Sequence, residues 1–141
     1  MATTRTANAH WEGSLLDGKG QVSLDSSKLG SYDVTWAARS SEPDGVTSPE
    51  ELIAAAHSTC FSMSLSNELS KAGHTVDTID TTAEVDFQPG KGITEIRLTT
   101  RGAVQGLSAE DFAVFAEGAK KNCPVSAALT GTTITLDAAL V

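Results

Sequence analysis

The first third of the chain alternates apolar and polar residues in the way strands do. HWEGSLL and QVSLDS flank Asp17, Gly18, Lys19 and Gly20, a glycine-containing connection that predicts one strand turning back on another. Further on, Tyr32, Val34 and Trp36 alternate with Asp33 and Thr35, so YDVTWAAR is expected to be a strand with one buried face. SSEPDGVTSP then reads as a loop.

The rhythm changes at Ser48. This residue suits an N-cap, Pro49 fits the first helical position and Glu51 completes a capping box, while Gly73 after Lys71 marks the far end. Leu52, Ala56, Cys60 and Met63 follow helical steps and fall on one face. No Asp, Glu, Lys or Arg occurs from Leu52 to Asn67, which predicts a central helix covered on most of its surface. Ser58, Thr59, Ser62, Ser64 and Ser66 make it too polar, and the run is too short, to span a bilayer.

Alternation then resumes. VDTIDTTAEVDF and ITEIRLTTRGAV form a predicted hairpin across PGKG. Ser108 caps a second helix ending near Lys121, with Phe112, Phe115, Ala116 and Ala119 as its apolar stripe. Pro124 cannot continue that helix but can start another, so PVSAAL is expected to be a short helical turn before a last strand, TTITLDAAL. Strands, helix, hairpin, helix and strand in this order predict an α+β domain. At 141 residues the chain is expected to form one domain, residues 1–141, with 1–9 as a flexible N-terminus.

Composition narrows the function classes. A formal net charge of −8 and a pI of about 4.7 disfavour nucleic acid and anionic membrane surfaces as partners. The N-terminal MATTRTANAHWEG has no apolar core of signal-peptide length, and a cytoplasmic location is expected. The two cysteines, Cys60 and Cys123, are sparse enough that reactive or buried thiols are expected rather than a structural staple.

Candidate chemistry therefore centres on these thiols. Cys60, in mid-helix, is equally compatible with an inert core position, because desolvation favours the neutral thiol. Cys123 follows Lys120 and Lys121 and precedes Pro124 at an expected N-cap, a local setting that favours thiolate. His57 and Cys60 form an H-x-x-C pair that could be half of a metal site completed by Cys123 and His74 or His10. Arg39 reads as the basic residue nearest the helix start, and Glu50 as a first-turn carboxylate complementing the dipole. No serine elbow, phosphate-cradling loop or dinucleotide fingerprint is present.

HWEG with GKGQVS, SPEELIAAAHSTCFSMSLS, IDTTAEV and NCPVS before a closing ITLD strand together resemble the OsmC/Ohr family, its OsmC branch in particular, from about His10 to Leu140. The resemblance implies a thiol-dependent peroxidase that reduces organic hydroperoxides to alcohols in stress defence, working without a separate cofactor. It implies an intertwined homodimer with sites at the subunit interface. By motif, Cys60 corresponds to the peroxidatic and Cys123 to the resolving cysteine, which reverses the order that local charge suggests. Arg39 corresponds to the activating cation and Glu50 to the carboxylate that holds it. The implied cycle passes through a Cys60 sulfenic acid and a Cys60–Cys123 disulfide that a dithiol, of the kind carried by lipoylated proteins, reopens. Phe61, Met63, Leu52 and residues of the second helix are expected to supply walls for an alkyl tail.

Overall fold

A computed structural model describes residues 1–141, and the architecture is α+β. Two compact units are present, Met1–Leu52 and Ile53–Val141.

In the first unit, β1 (Asn8–Glu12), β2 (Lys19–Ser23) and β3 (Ser31–Val34) form an antiparallel meander in that order. Asn8 and Ala9, in the stretch expected to be flexible, are strand residues opposite Ser23 and Val22. The third strand is shorter than the alternation predicts. It stops at Val34, and Trp36–Ser40 is a helix, α1. Thr35 causes the switch, because its hydroxyl accepts a 3.1 Å hydrogen bond from the Ala38 N–H and so caps a new helix. Two alanines then offer the backbone no reason to remain extended.

The long helix α2 spans Pro49–Lys71. Only half of the expected capping box forms. The Glu51 N–H donates to Ser48 Oγ at 3.2 Å, but the Glu51 carboxylate accepts from the Thr47 hydroxyl at 3.0 Å. At the other end, Gly73 has φ +88°, His74 N–H bonds to Leu69 O and Gly73 N–H to Ser70 O, which is the Schellman closure.

In the second unit, β4 (Val76–Gln88) and β5 (Gly92–Val104) form the expected hairpin. The chain then passes through α3 (Ala109–Asn122) and α4 (Pro124–Ala128) to β6 (Thr133–Leu140), which pairs parallel with β5. One side of this sheet carries the core: Ile96 and Leu98 of β5 pack with Phe61, Leu65 and Leu69 of α2, Phe112, Ala116 and Ala119 of α3, and Cys123. Each fully buried Leu or Phe contributes roughly 1.5–3 kcal/mol. Gly102 lets α3 settle, since a Cβ there would lie 2.7 Å from the Phe112 ring.

The covered stripe of α2 differs from the expected one. His57, Phe61, Leu65 and Leu69, at steps of four, are buried, whereas Ala56 is exposed and Met63 is 70% exposed. The helix is also not covered on most of its surface: Ala55, Ala56, Thr59, Met63 and Asn67 form an uncharged exposed face. The two aromatic and branched residues missed by the expected face, Phe61 and Leu65, carry more apolar surface than Ala56 and Cys60, and burial follows that surface. No helix is long and apolar enough to cross a membrane.

Candidate active site

Two thiols separated by 63 positions meet in the second unit. Cys60 lies midway along α2, and Cys123 joins α3 to α4 as C-cap of one and N-cap of the other. Their sulfurs are 3.0 Å apart and share a hydrogen bond. Both are free thiols, Cys60 half-buried and Cys123 fully buried. A shift of about 1 Å would bring them to the length of a disulfide bond.

Their surroundings pull them in opposite directions. Burial pushes the Cys60 thiol up, the hydrogen bond with Cys123 adds to the rise, and the Val125 N–H works against both. Burial also acts to raise Cys123, but the hydrogen bond with Cys60, the N–H and hydroxyl of Ser126 and the N–H of Val125 outweigh it, and the net direction is down. Cys123 makes no well-aligned cap bond. Its sulfur nevertheless faces the first donors of α4, so within this unit Cys123 is the more acidic of the two thiols. Of the local features around NCPVS, the N-cap position accounts for this direction, whereas Lys120 and Lys121 are not among its causes, and Lys120 pairs with Glu117.

Cys60 opens on a groove of about 650 Å³ lined by Met63, Ser64, Asn67, Glu68, Lys71, Asn122 and Pro124. Most of the surface it exposes is apolar, although Ser64, Asn67, Glu68, Lys71 and Asn122 add polar groups that the expected walls lack. Phe61 turns into the core and is fully buried, Met63 does line the groove, and Leu52 lines a separate one in the first unit.

That second groove, about 470 Å³, is apolar. Ala9, Trp11, Leu15, Val22, Val34, Trp36 and Leu52 form its walls, and Arg39 stands at it. The guanidinium is held by Glu50: Nε donates to both carboxylate oxygens, at 2.9 and 3.2 Å, and one terminal nitrogen reaches Oε1 at 2.9 Å. Glu50 is 6% exposed, and such a buried carboxylate needs a paired cation. The structure therefore joins Arg39 to Glu50, and separately Cys60 to Cys123.

His57, a candidate metal ligand by its spacing from Cys60, has another engagement. It is fully buried, and its Nε2 lies 2.7 Å from Ser126 Oγ. His74 packs edge-on against Phe115, with ring centroids 5.5 Å apart, and His10 bonds to Glu12 in the first unit. No group of three or more His, Cys, Asp or Glu side chains is arranged to hold a metal ion. Sequence reasoning missed Ser126, whose only signal was its place three residues after Cys123.

Burial lowers the His57 pKa from its ordinary 6.5. The unfolded chain then binds this proton more readily than the folded one, so stability is present above about pH 6.5 and is lost as pH falls toward the folded value. Between about pH 7.5 and about pH 5.5, the melting temperature of the native protein is expected to fall further than that of His57→Gln. Equal falls would remove His57 from this role.

Comparison with known proteins shows the family. A sequence profile described as OsmC-like protein matches residues 42–137. Peroxiredoxin OsmC of Escherichia coli K12 is 44% identical over 140 residues, covering 97% of this chain and 96% of that protein, and Peroxiredoxin OsmC of Shigella flexneri matches equally. An organic hydroperoxide resistance protein from Elizabethkingia anophelis superposes with a TM-score of 0.76 at 25% identity over the full length of both chains. The OsmC structure from Legionella pneumophila, at 24% identity and a TM-score of 0.75 over 99% of this chain and 98% of its own, shares the fold. The profile match over most of the chain and the near full-length relatives at 44% identity agree: the chain belongs to the OsmC-like family.

Proposed function

We propose that the protein is a two-cysteine peroxidase that reduces organic hydroperoxides to alcohols. The observation that carries this reading is the thiol pair: one sulfur open to a groove, the other buried 3.0 Å behind it. A peroxide meets Cys60 first, whatever the relative acidities, because Cys123 is fully buried. The relatives named peroxiredoxin support the same class of reaction.

The chemistry runs in three steps. The Cys60 thiolate attacks the terminal peroxide oxygen, the O–O bond breaks, and the alkoxide takes a proton and leaves as alcohol. Cys60 is now a sulfenic acid. Cys123 attacks that sulfur, forming the S–S bond and expelling water. An external dithiol, such as that of a lipoylated protein, then reduces the disulfide and returns both thiols.

Cys60 needs help to ionise, because its own unit pushes it toward the thiol. Arg39, fixed by Glu50, supplies that cation and later stabilises charge on the departing oxygen. The apolar groove beside Arg39 accepts the alkyl portion, at about 0.8 kcal/mol for each buried methylene. A second copy of the chain covers the uncharged exposed face of α2, giving a homodimer.

One equivalent of an alkyl hydroperoxide tests the reading. Mass spectrometry is expected to find Cys60 joined to Cys123 in the native protein, and a dimedone-trapped sulfenic acid on Cys60 in Cys123→Ser. Unmodified thiols in both, with the peroxide unconsumed, would sink it.

A further inference from the structure

His57 is an expensive choice for its position. It occupies the buried stripe of α2 among Phe61, Leu65 and Leu69, where an apolar side chain would fill the space without a polar cost. Its Nε2 is satisfied by Ser126 Oγ at 2.7 Å, but its Nδ1 is buried with no hydrogen-bond partner. Ser126 is itself 4% exposed and is the third residue of α4, the helix that Cys123 caps. The side chain of the third helical residue reaches back toward the N-cap, and the Ser126 hydroxyl here is hydrogen-bonded to the Cys123 sulfur. His57, Ser126 and Cys123 thus form a buried line that ends on a reacting sulfur.

We propose that His57 is a positioning residue for the second chemical step, receiving through the Ser126 hydroxyl the proton that Cys123 gives up as it attacks the Cys60 sulfenic acid. The inference rests on the peroxidase reading above and adds to it a route for one proton. As the Cys123 sulfur bonds to the Cys60 sulfur, the Cys60 S–O bond breaks and hydroxide departs. The Cys123 proton passes to Ser126 Oγ, and the hydroxyl proton of Ser126 passes to His57 Nε2. Ser126 Oγ then gives a proton to the departing hydroxide and takes one back from His57 Nε2, which leaves water, an intact hydroxyl and a neutral imidazole. Thiol and sulfenic acid have become disulfide and water, with no further oxidant or reductant.

The unpartnered Nδ1 is consistent with a relay rather than a store. No carboxylate holds the second ring nitrogen, so nothing stabilises a lasting imidazolium. Burial acts in the same sense, favouring the neutral ring. The proton received is therefore handed back.

Rapid mixing with one equivalent of an alkyl hydroperoxide separates the two steps, with dimedone added at timed intervals to read the Cys60 sulfenic acid. His57→Gln keeps a polar group of similar reach but accepts no proton, and Ser126→Ala cuts the line with little change in packing. Both are expected to slow decay of the sulfenic acid about 100-fold, while its formation changes less than about twofold. Ser126→Thr, which keeps the hydroxyl, is expected to restore the decay. Unchanged decay in both variants, or equal slowing of formation and decay, would overturn the proposal, and Ser126→Ala decides alone if His57→Gln does not fold. Failure of the underlying reading has a different signature: no sulfenic acid on Cys60 even in Cys123→Ser.

Discussion

Cys60→Ser is expected to lower the consumption of an alkyl hydroperoxide by about a thousandfold or more, the scale seen when a nucleophile is removed. The exchange of sulfur for oxygen is nearly isosteric, yet a serine hydroxyl is far less acidic than a thiol and does not take up peroxide oxygen. Cys60 is half-buried at the edge of the core, so loss of its sulfur removes one hydrogen bond to Cys123 and little packing. The cost in stability is about 1 kcal/mol. Circular dichroism melting alongside a peroxide assay with excess dithiol separates the two effects. A variant that melts like the native protein and still turns over at more than about a tenth of its rate would end the assignment of Cys60 as the sulfur that meets the peroxide.

Arg39→Ala carries the second large effect, and it should appear in both rate and stability. Removal of a donor aimed at developing charge slows chemistry by about 100-fold or more, so the rate of Cys60 oxidation is expected to fall on that scale. The same change leaves Glu50, 6% exposed, with its charge uncompensated. Breaking a buried pair costs several kcal/mol, but the Arg39 side chain is 32% exposed, and solvent reduces the loss to about 2 kcal/mol. The double variant Arg39→Met, Glu50→Gln removes both charges together. It is expected to recover most of the stability and none of the rate. Stopped-flow oxidation and thermal melts of the three proteins read the two outcomes, and an unchanged oxidation rate in Arg39→Ala would show that another group ionises Cys60.

Local signals in the sequence were reliable where a single residue type dictates the backbone. Ser48, Gly73 and Ser108 cap helices as their chemistry requires, and the 13-residue strands β4 and β5 pair across the predicted turn. Periodicity failed where two patterns overlap. Tyr32, Val34 and Trp36 alternate, but the Thr35 hydroxyl can cap, and capping won. On α2, one set of helical steps passes through Leu52 and Cys60 and another through His57 and Phe61, and only the sheet and α3 packed against the helix decide between them. The pairing of the two thiols was legible only through the resemblance, which implies a Cys60–Cys123 disulfide. No local rule brings positions 60 and 123 together; the parallel pairing of β6 with β5 and the crossover through α3 and α4 do. Ser126 stayed hidden for the same reason, since its partner His57 is 69 residues away.

That long crossover has a consequence for endurance. A covalent tie between sulfurs 63 positions apart closes a large ring in the denatured chain, which removes conformational freedom worth about 4 kcal/mol at room temperature. Under the proposed cycle, the oxidised protein is then the hardier of the two redox forms against heat and proteases. On that proposal, exhaustion of the dithiol reductant leaves the stalled molecules protected rather than exposed to degradation.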